Sequence, residues 1–267
     1  MRPWQIRLST DGRHPMFPRE PERRQAVRVL VHTAGRETAL FGIVDDHVHV
    51  VLYCDRPTVT WRARSLCRVL RGRSAVEIAP SHISAVNSRG HMATLVGYIL
   101  NQTGHHGLPV HPALWTGSCF PDLIGARALP GLDLQLFRAL PRLQPWEICQ
   151  EVGLDLRDLQ PMGLDEIRSL GAARILAASS AVLAVGPGLE HQDRSCHLVR
   201  ALVAQTGLAA NLSVSEMGWV LGCTIRHVSR LDLAPISEPQ LRCVRVRLAL
   251  EEAVARQQAR QGLLKAG

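Results

Sequence analysis

None of the seven cysteines of this chain (Cys54, Cys67, Cys119, Cys149, Cys196, Cys223 and Cys243) stands in a Cys-x-x-Cys pair, which excludes a zinc finger. They read as free thiols of a reducing cytosol. Long apolar runs are missing too: the stretch Leu170 to Leu189 is interrupted by Arg174, two serines and Gly186-Pro187-Gly188, so a buried bundle helix is expected and not a bilayer span. Residues 1–24 are rich in arginine and proline and have no apolar centre, so they are expected to be a flexible tail and not a signal peptide, and the protein is expected in the cytoplasm. Lysine is nearly absent, since Lys265 is the only one among 31 basic residues, and tyrosine is confined to Tyr53 and Tyr98. The formal charge of +8, carried by arginine, suits bidentate contacts to phosphate and points to a nucleic-acid partner. GC-rich coding alone also enriches arginine, so the placement of these residues carries more weight than their number.

The most informative motif is His47-Val48-His49, inside the β-branched run from Phe41 to Tyr53. Alternate side chains of a strand share a face, so His47 and His49 stand together while Val48, Val50 and Leu52 line the other side. Two imidazoles on one strand face can converge on a single cation. A histidine-triad nucleotide hydrolase would need a third histidine two residues further on, where Val51 stands, so that class is excluded. Asp45 has the parity of the histidines and is either a fourth ligand or, with Asp46, the turn between strands 37–44 and 47–54.

Residues 90–103 read as a helix closed by Gly104. Tyr98 and Gln102 lie four apart on it and share a face, with Asn101 alongside. The alternative is a half-buried tyrosine followed by solvated amides.

The run Phe41 to Tyr53, followed some fifty residues later by Tyr98-Ile-Leu-Asn-Gln-Thr-Gly-His-His-Gly-Leu108, resembles the single-tyrosine HUH transposases, most of all the REP-associated tyrosine transposases, over roughly residues 25–110. The resemblance implies a ferredoxin-like α+β nuclease domain in which an antiparallel sheet packs with helices. It implies His47, His49 and Gln102 as metal ligands, Mg2+ or Mn2+ as the ion, and Tyr98 as the nucleophile. It implies a metal-dependent single-stranded DNA endonuclease and strand transferase, acting on single-stranded or hairpin DNA through a 5′-phosphotyrosine. The chain departs from the family pattern at Asp45-Asp46 and after Tyr98, where proline and arginine are missing, and His32 to Thr38 is shorter than the connecting helix expected there. A catalytically inactive, domesticated DNA-binding regulator is the other reading.

Phosphoryl transfer needs in-line positioning and neutralised charge on the non-bridging oxygens. A free phenol has a pKa of about 10 and is largely protonated near neutrality, so a tyrosine nucleophile needs a base or a cation beside it.

Within the segment 58–71, Arg64, Arg68 and Arg71 fall on one helical face and Leu66, Val69 and Leu70 on another, so the basic face either tracks DNA or is simply solvated. Length permits two domains. The first is expected to hold strands 26–34, 37–44, 47–54 and about 75–86, followed by a linker at 111–131 and an all-α helical domain at 132–267. Helices are expected at 166–185, 193–207, 213–222, 224–231 and 238–261. Residues 212–231 resemble a helix-turn-helix, with a capping box from Ser213 and Glu216 and with Arg226, His227 and Arg230 facing DNA. The last helix either dimerises the protein or closes the bundle.

Overall fold

The computed structural model describes residues 1–189 and 193–266; residues 190–192 and 267, which fall inside the expected helical domain, lie outside it. The chain divides into two compact units, one formed by residues 1–123 and 129–155, the other by residues 124–128 and 156–267.

The first unit begins with a strand. Trp4, Ile6 and Leu8 alternate with Gln5, Arg7 and Ser9, and this period of two gives β1 (Arg2–Ser9) one buried and one polar face. Residues 1–24 are therefore not a flexible tail. Nor are residues 26–34 a strand: Ala26, Val27, Leu30, Val31 and Ala34 recur at helical spacing and form the buried stripe of α1 (Glu20–Ala34). The helix ends where Gly35 turns the backbone to φ +74°. Then come β2 (Thr38–Ile43), β3 (His47–Cys54), α2 (Arg56–Arg71), β4 (His82–Ala85) and α3 (Arg89–Leu100). Asp55 caps α2 by accepting from the Thr58 amide at 2.8 Å, and Ser88 caps α3 by accepting from the His91 amide at 3.0 Å.

The four strands form one antiparallel sheet in the order β2-β3-β1-β4, and with the intervening helices this is the βαββαβ ferredoxin-like arrangement. Trp4, Ile6 and Leu8 pair with Leu52, Val50 and Val48, and this apolar face is buried under α1 and α2. The opposite face carries Gln5, Arg7, Ser9, His47 and His49. There α3 crosses β2 at Gly42, where an added Cβ would come within 3.1 Å of Ile99 Cγ2. Absence of a side chain at 42 is what lets the helix approach.

After α3 the chain makes three short helices, α4 (Gln102–His105), α5 (Phe120–Leu123) and α6 (Leu136–Ala139), and then α7 (Pro145–Glu151). Residues 115–119 are not a free linker. The Ile43 amide donates to the Gly117 carbonyl at 2.9 Å, and the Trp115 indole donates to the Ile43 carbonyl at 2.6 Å, so this segment closes the β2 edge of the sheet.

The second unit is all-helical: α8 (Leu164–Leu170), α9 (Ala172–Val182), α10 (Arg194–Ala209), α11 (Val214–Leu221), α12 (Ile225–Asp232) and α13 (Glu238–Ala266). The single helix expected at 166–185 is two, broken at Gly171 with φ +78°. Ile175, Val182, Val199, Leu202, Met217, Val228 and Leu248 form its core. No helix among the described residues is long and apolar enough to cross a membrane.

Candidate metal centre

β3 places His47 and His49 on one face, as alternation requires, with their rings edge-to-face and 4.6 Å apart. The end of α3 and the start of α4 bring a carboxamide to the same point. Gln102 is buried, and its Oε1 lies 3.0 Å from His47 Nε2. The orientation of that amide is fixed from behind, because Gln102 Nε2 donates to the Tyr98 carbonyl at 3.2 Å. Tyr98 stacks edge-on to His49 with ring centres 5.4 Å apart, and it is 38% exposed. The four residues singled out in the sequence therefore come together on one side of the sheet.

Protons decide what the cluster can bind. His47 Nδ1 lies 2.6 Å from Asp46 Oδ1, the length of a charge-assisted hydrogen bond. Burial raises the Asp46 carboxyl, but its hydrogen bond to His47 and the nearby charges of His47 and His106 outweigh this and hold it below the usual range. Burial pushes the His47 imidazole down, with Asp46 opposing. A neutral His47 that gives its one proton to Asp46 turns a lone pair at Nε2 toward a carbonyl oxygen. With the proton on Nε2 instead, the ring donates to Oε1; in the tautomer with Nδ1–H the two acceptors face each other and a cation can join them. Ligand atoms bound at about 2.1 Å and at right angles around one ion stand about 3.0 Å apart, which is the observed separation of Nε2 and Oε1.

Burial, and after it the charges of His47 and Arg7, pushes the His49 pKa down to about 3, so the ring is neutral. Its Nδ1 is 3.0 Å from Gln5 Nε2, while its Nε2 is buried with no hydrogen-bond partner among the described residues. An orphaned ring nitrogen of this kind costs about 1–3 kcal/mol unless something binds it.

On the other side of the His47 ring, Asp46, His47 and His106 each offer a ligand atom within 4.8 Å of one another, a group that can hold a metal ion. Asp45 is not in that group; it lies in the turn between β2 and β3, where its backbone carbonyl accepts from the Met16 amide at 2.6 Å. Asn101 also points elsewhere, donating to the carbonyls of Gly97 and Glu151 at 3.1 and 2.7 Å.

Arg64, Arg68 and Arg71 are exposed on α2 and, with Cys67, Pro80 and Ser81, line a shallow recess of about 480 Å³ on the β4 side of the unit. They do not touch the histidines. In the second unit Arg226, His227 and Arg230 are exposed along α12, while Val228 and Leu231 anchor it. Ser213 caps α11 as expected, accepting from the Glu216 amide at 3.1 Å, but the Glu216 carboxylate does not return the bond. It accepts from the Ala172 amide at the start of α9, at 3.2 Å, so the capping box is half formed. All seven cysteines are free; Cys54 and Cys149 are pushed up to about 11 by burial, and so are poor nucleophiles.

Gln5, Asp46 and His106 are members of the cluster that spacing alone does not reveal. The alternation Trp4-Gln5-Ile6-Arg7-Leu8-Ser9 is the available signal for Gln5. No protein-family model, curated protein or solved structure matches the chain. An antiparallel sheet packed with helices and bearing a His-His-Asp group is loosely HUH-like.

Proposed function

We propose that the first unit is a metal-dependent single-stranded DNA endonuclease and strand transferase that works through a phosphotyrosine on Tyr98. One observation carries this reading: Gln102 Oε1 lies 3.0 Å from His47 Nε2, the separation of two ligand atoms on one ion, beside the partnerless His49 Nε2 and the edge-on Tyr98 ring. His47, His49 and Gln102 would hold a divalent cation; the resemblance to the HUH transposases implies Mg2+ or Mn2+, which the amide oxygen suits, whereas the two imidazoles alone favour zinc and its neighbours. The ion would supply charge neutralisation at the non-bridging oxygens of a phosphodiester. Asp46, accepting from Nδ1–H, would favour the His47 tautomer that leaves a lone pair on Nε2. Tyr98, half exposed on the rim, is open to a strand of DNA. Its hydroxyl oxygen forms a bond to phosphorus, the bond from phosphorus to the 3′ oxygen breaks, and the phenolic proton leaves with that oxygen. The reverse reaction rejoins the strand without ATP.

The test is a denaturing gel of the full chain with labelled single-stranded hairpin DNA and Mn2+ or Mg2+. A covalent adduct is expected, lost on Tyr98→Phe, His47→Ala and chelation. Persistence of the adduct in Tyr98→Phe moves the nucleophile elsewhere, and its absence from the unaltered protein sinks the nuclease reading. A DNA-binding regulator is the second reading, favoured by the exposed Arg226, His227 and Arg230 on α12. It predicts DNA retention with no adduct under any condition.

A further inference from the structure

The register of the sheet sets four residues side by side on the histidine-bearing face: Gly42 on β2, His49 on β3, Arg7 on β1 and His82 on β4 are direct neighbours in that order. Adjacent strands are about 4.8 Å apart, so Arg7 and His82 extend the line of His49 outward in two short steps. The α3 helix covers the Gly42 end of this row. The other end is open, with both Arg7 and His82 exposed, and no side-chain hydrogen bond or salt bridge ties either of them among the described residues.

A guanidinium exposed on a strand surface, with no carboxylate paired to it, is free to contact a phosphate. The chain around the β4 edge extends that surface. β4 is the last strand of the sheet, so its outer side carries no further strand. Pro80 and Ser81 lead directly into it, and these two residues form one wall of the recess lined by Arg64, Arg68 and Arg71 on α2. Arg71 is steadied there, its Nε donating to the Ile78 carbonyl at 2.8 Å. Donor groups therefore lie on both sides of the β4 edge, Arg7 and His82 on the sheet face and Arg64, Arg68 and Arg71 in the recess. No acidic side chain belongs to this row or to that lining.

We infer that Arg7 and His82 form a phosphate-binding subsite adjoining the candidate metal centre, and that one single DNA strand passes over them and around the β4 edge into the arginine recess of α2. This rests on the nuclease reading and specifies the path of its substrate. The contacts are to the backbone, so binding along this path is independent of base sequence, and Arg7 is a substrate-positioning residue.

The measurement is fluorescence anisotropy of a labelled oligothymidylate against the full chain at a series of KCl concentrations with EDTA present, in a Tyr98→Phe background that blocks covalent capture. Each phosphate contact contributes about 0.7 to the slope of log affinity against log salt for a single strand. Arg7→Gln is expected to lower the slope by about 0.7, Arg7→Lys to restore it, and Arg7→Gln with Arg68→Gln to lower it by about 1.4. Arg36→Gln, an exposed arginine just before β2, is the control and is expected to leave it unchanged. A parental slope in Arg7→Gln, or an equal loss in Arg36→Gln, overturns the path. If the unaltered protein forms the covalent adduct while Arg7→Gln keeps its slope, the subsite fails and the nuclease stands. If the slope responds to Arg7 but no adduct forms, the anion track stands and the nuclease fails.

Discussion

Gln5 Nε2 lies 3.0 Å from His49 Nδ1, across two paired strands. An amide N–H donated to Nδ1 places the proton of a neutral His49 on Nε2, where it has no acceptor. Turning the amide end for end offers Oε1 to an Nδ1–H and leaves Nε2 with a lone pair for a cation, so Gln5 is the partner that selects the tautomer. Addition of Mg2+ to protein labelled with 15N histidine is expected to move the His49 proton from Nε2 to Nδ1. In Gln5→Leu the apparent metal affinity is expected to fall by about 10–100-fold. An unshifted His49 spectrum on saturation with metal would remove His49 from the ligand set.

Acid stability should report the same ring. A histidine with a folded pKa of about 3, against an ordinary value of 6.5, leaves the unfolded chain holding the extra proton throughout that interval. Stability is therefore complete above about pH 6.5 and declines as the pH falls toward 3, by up to about 5 kcal/mol for this group alone. Urea titrations in EDTA from pH 7 to 4 are expected to show this slope in the parent and a shallower one in His49→Gln.

Gly42 sets how closely α3, and with it Tyr98, approaches the sheet. A side chain there meets Ile99 at 3.1 Å from its first carbon, and Ile99 adjoins Tyr98 on α3. Gly42→Val is expected to push α3 outward, to cost about 1–3 kcal/mol by overpacking, and to reduce adduct formation at least tenfold. Oligonucleotide affinity in EDTA should stay near the parent value. An adduct yield equal to the parent's would separate the α3 position from the chemistry.

The basic side of α12 predicts a different loss. Arg226→Ala with Arg230→Ala is expected to lower the salt slope for duplex DNA by about 1.8, at about 0.9 for each contact. Adduct formation on short single strands should be unaffected, since neither residue belongs to the unit that holds Tyr98. Loss of the adduct in the double variant would show that both units grip the same strand.

Periodicity over long segments makes most of the architecture legible. The run from Thr38 to Cys54 specifies its hairpin, and α2, α10, α11 and α12 lie within a few residues of where their apolar spacing puts them. The start of the chain is where sequence reasoning fails. An arginine- and proline-rich composition hides the strict alternation of β1, and without that strand Val27, Leu30 and Val31 read as a strand although their spacing is helical. The site is legible where spacing alone creates proximity, as for His47 with His49 and Tyr98 with Gln102. Gln5 and Asp46 are not, because register and turn geometry, and not sequence distance, bring them to the imidazoles.

β1 is made before the other three strands yet lies inside the sheet, bonded on one side to β3 and on the other to β4. Gln5 must wait 44 residues for His49, and Arg7 longer still for His82. Contacts of such long range form slowly, since the intervening loop must close before any pairing energy is recovered. A ribosome-bound chain that has not yet delivered β4 therefore carries both histidines but neither Tyr98 nor Gln102, which follow β4, so any cleavage activity is withheld until α3 and the start of α4 have been made.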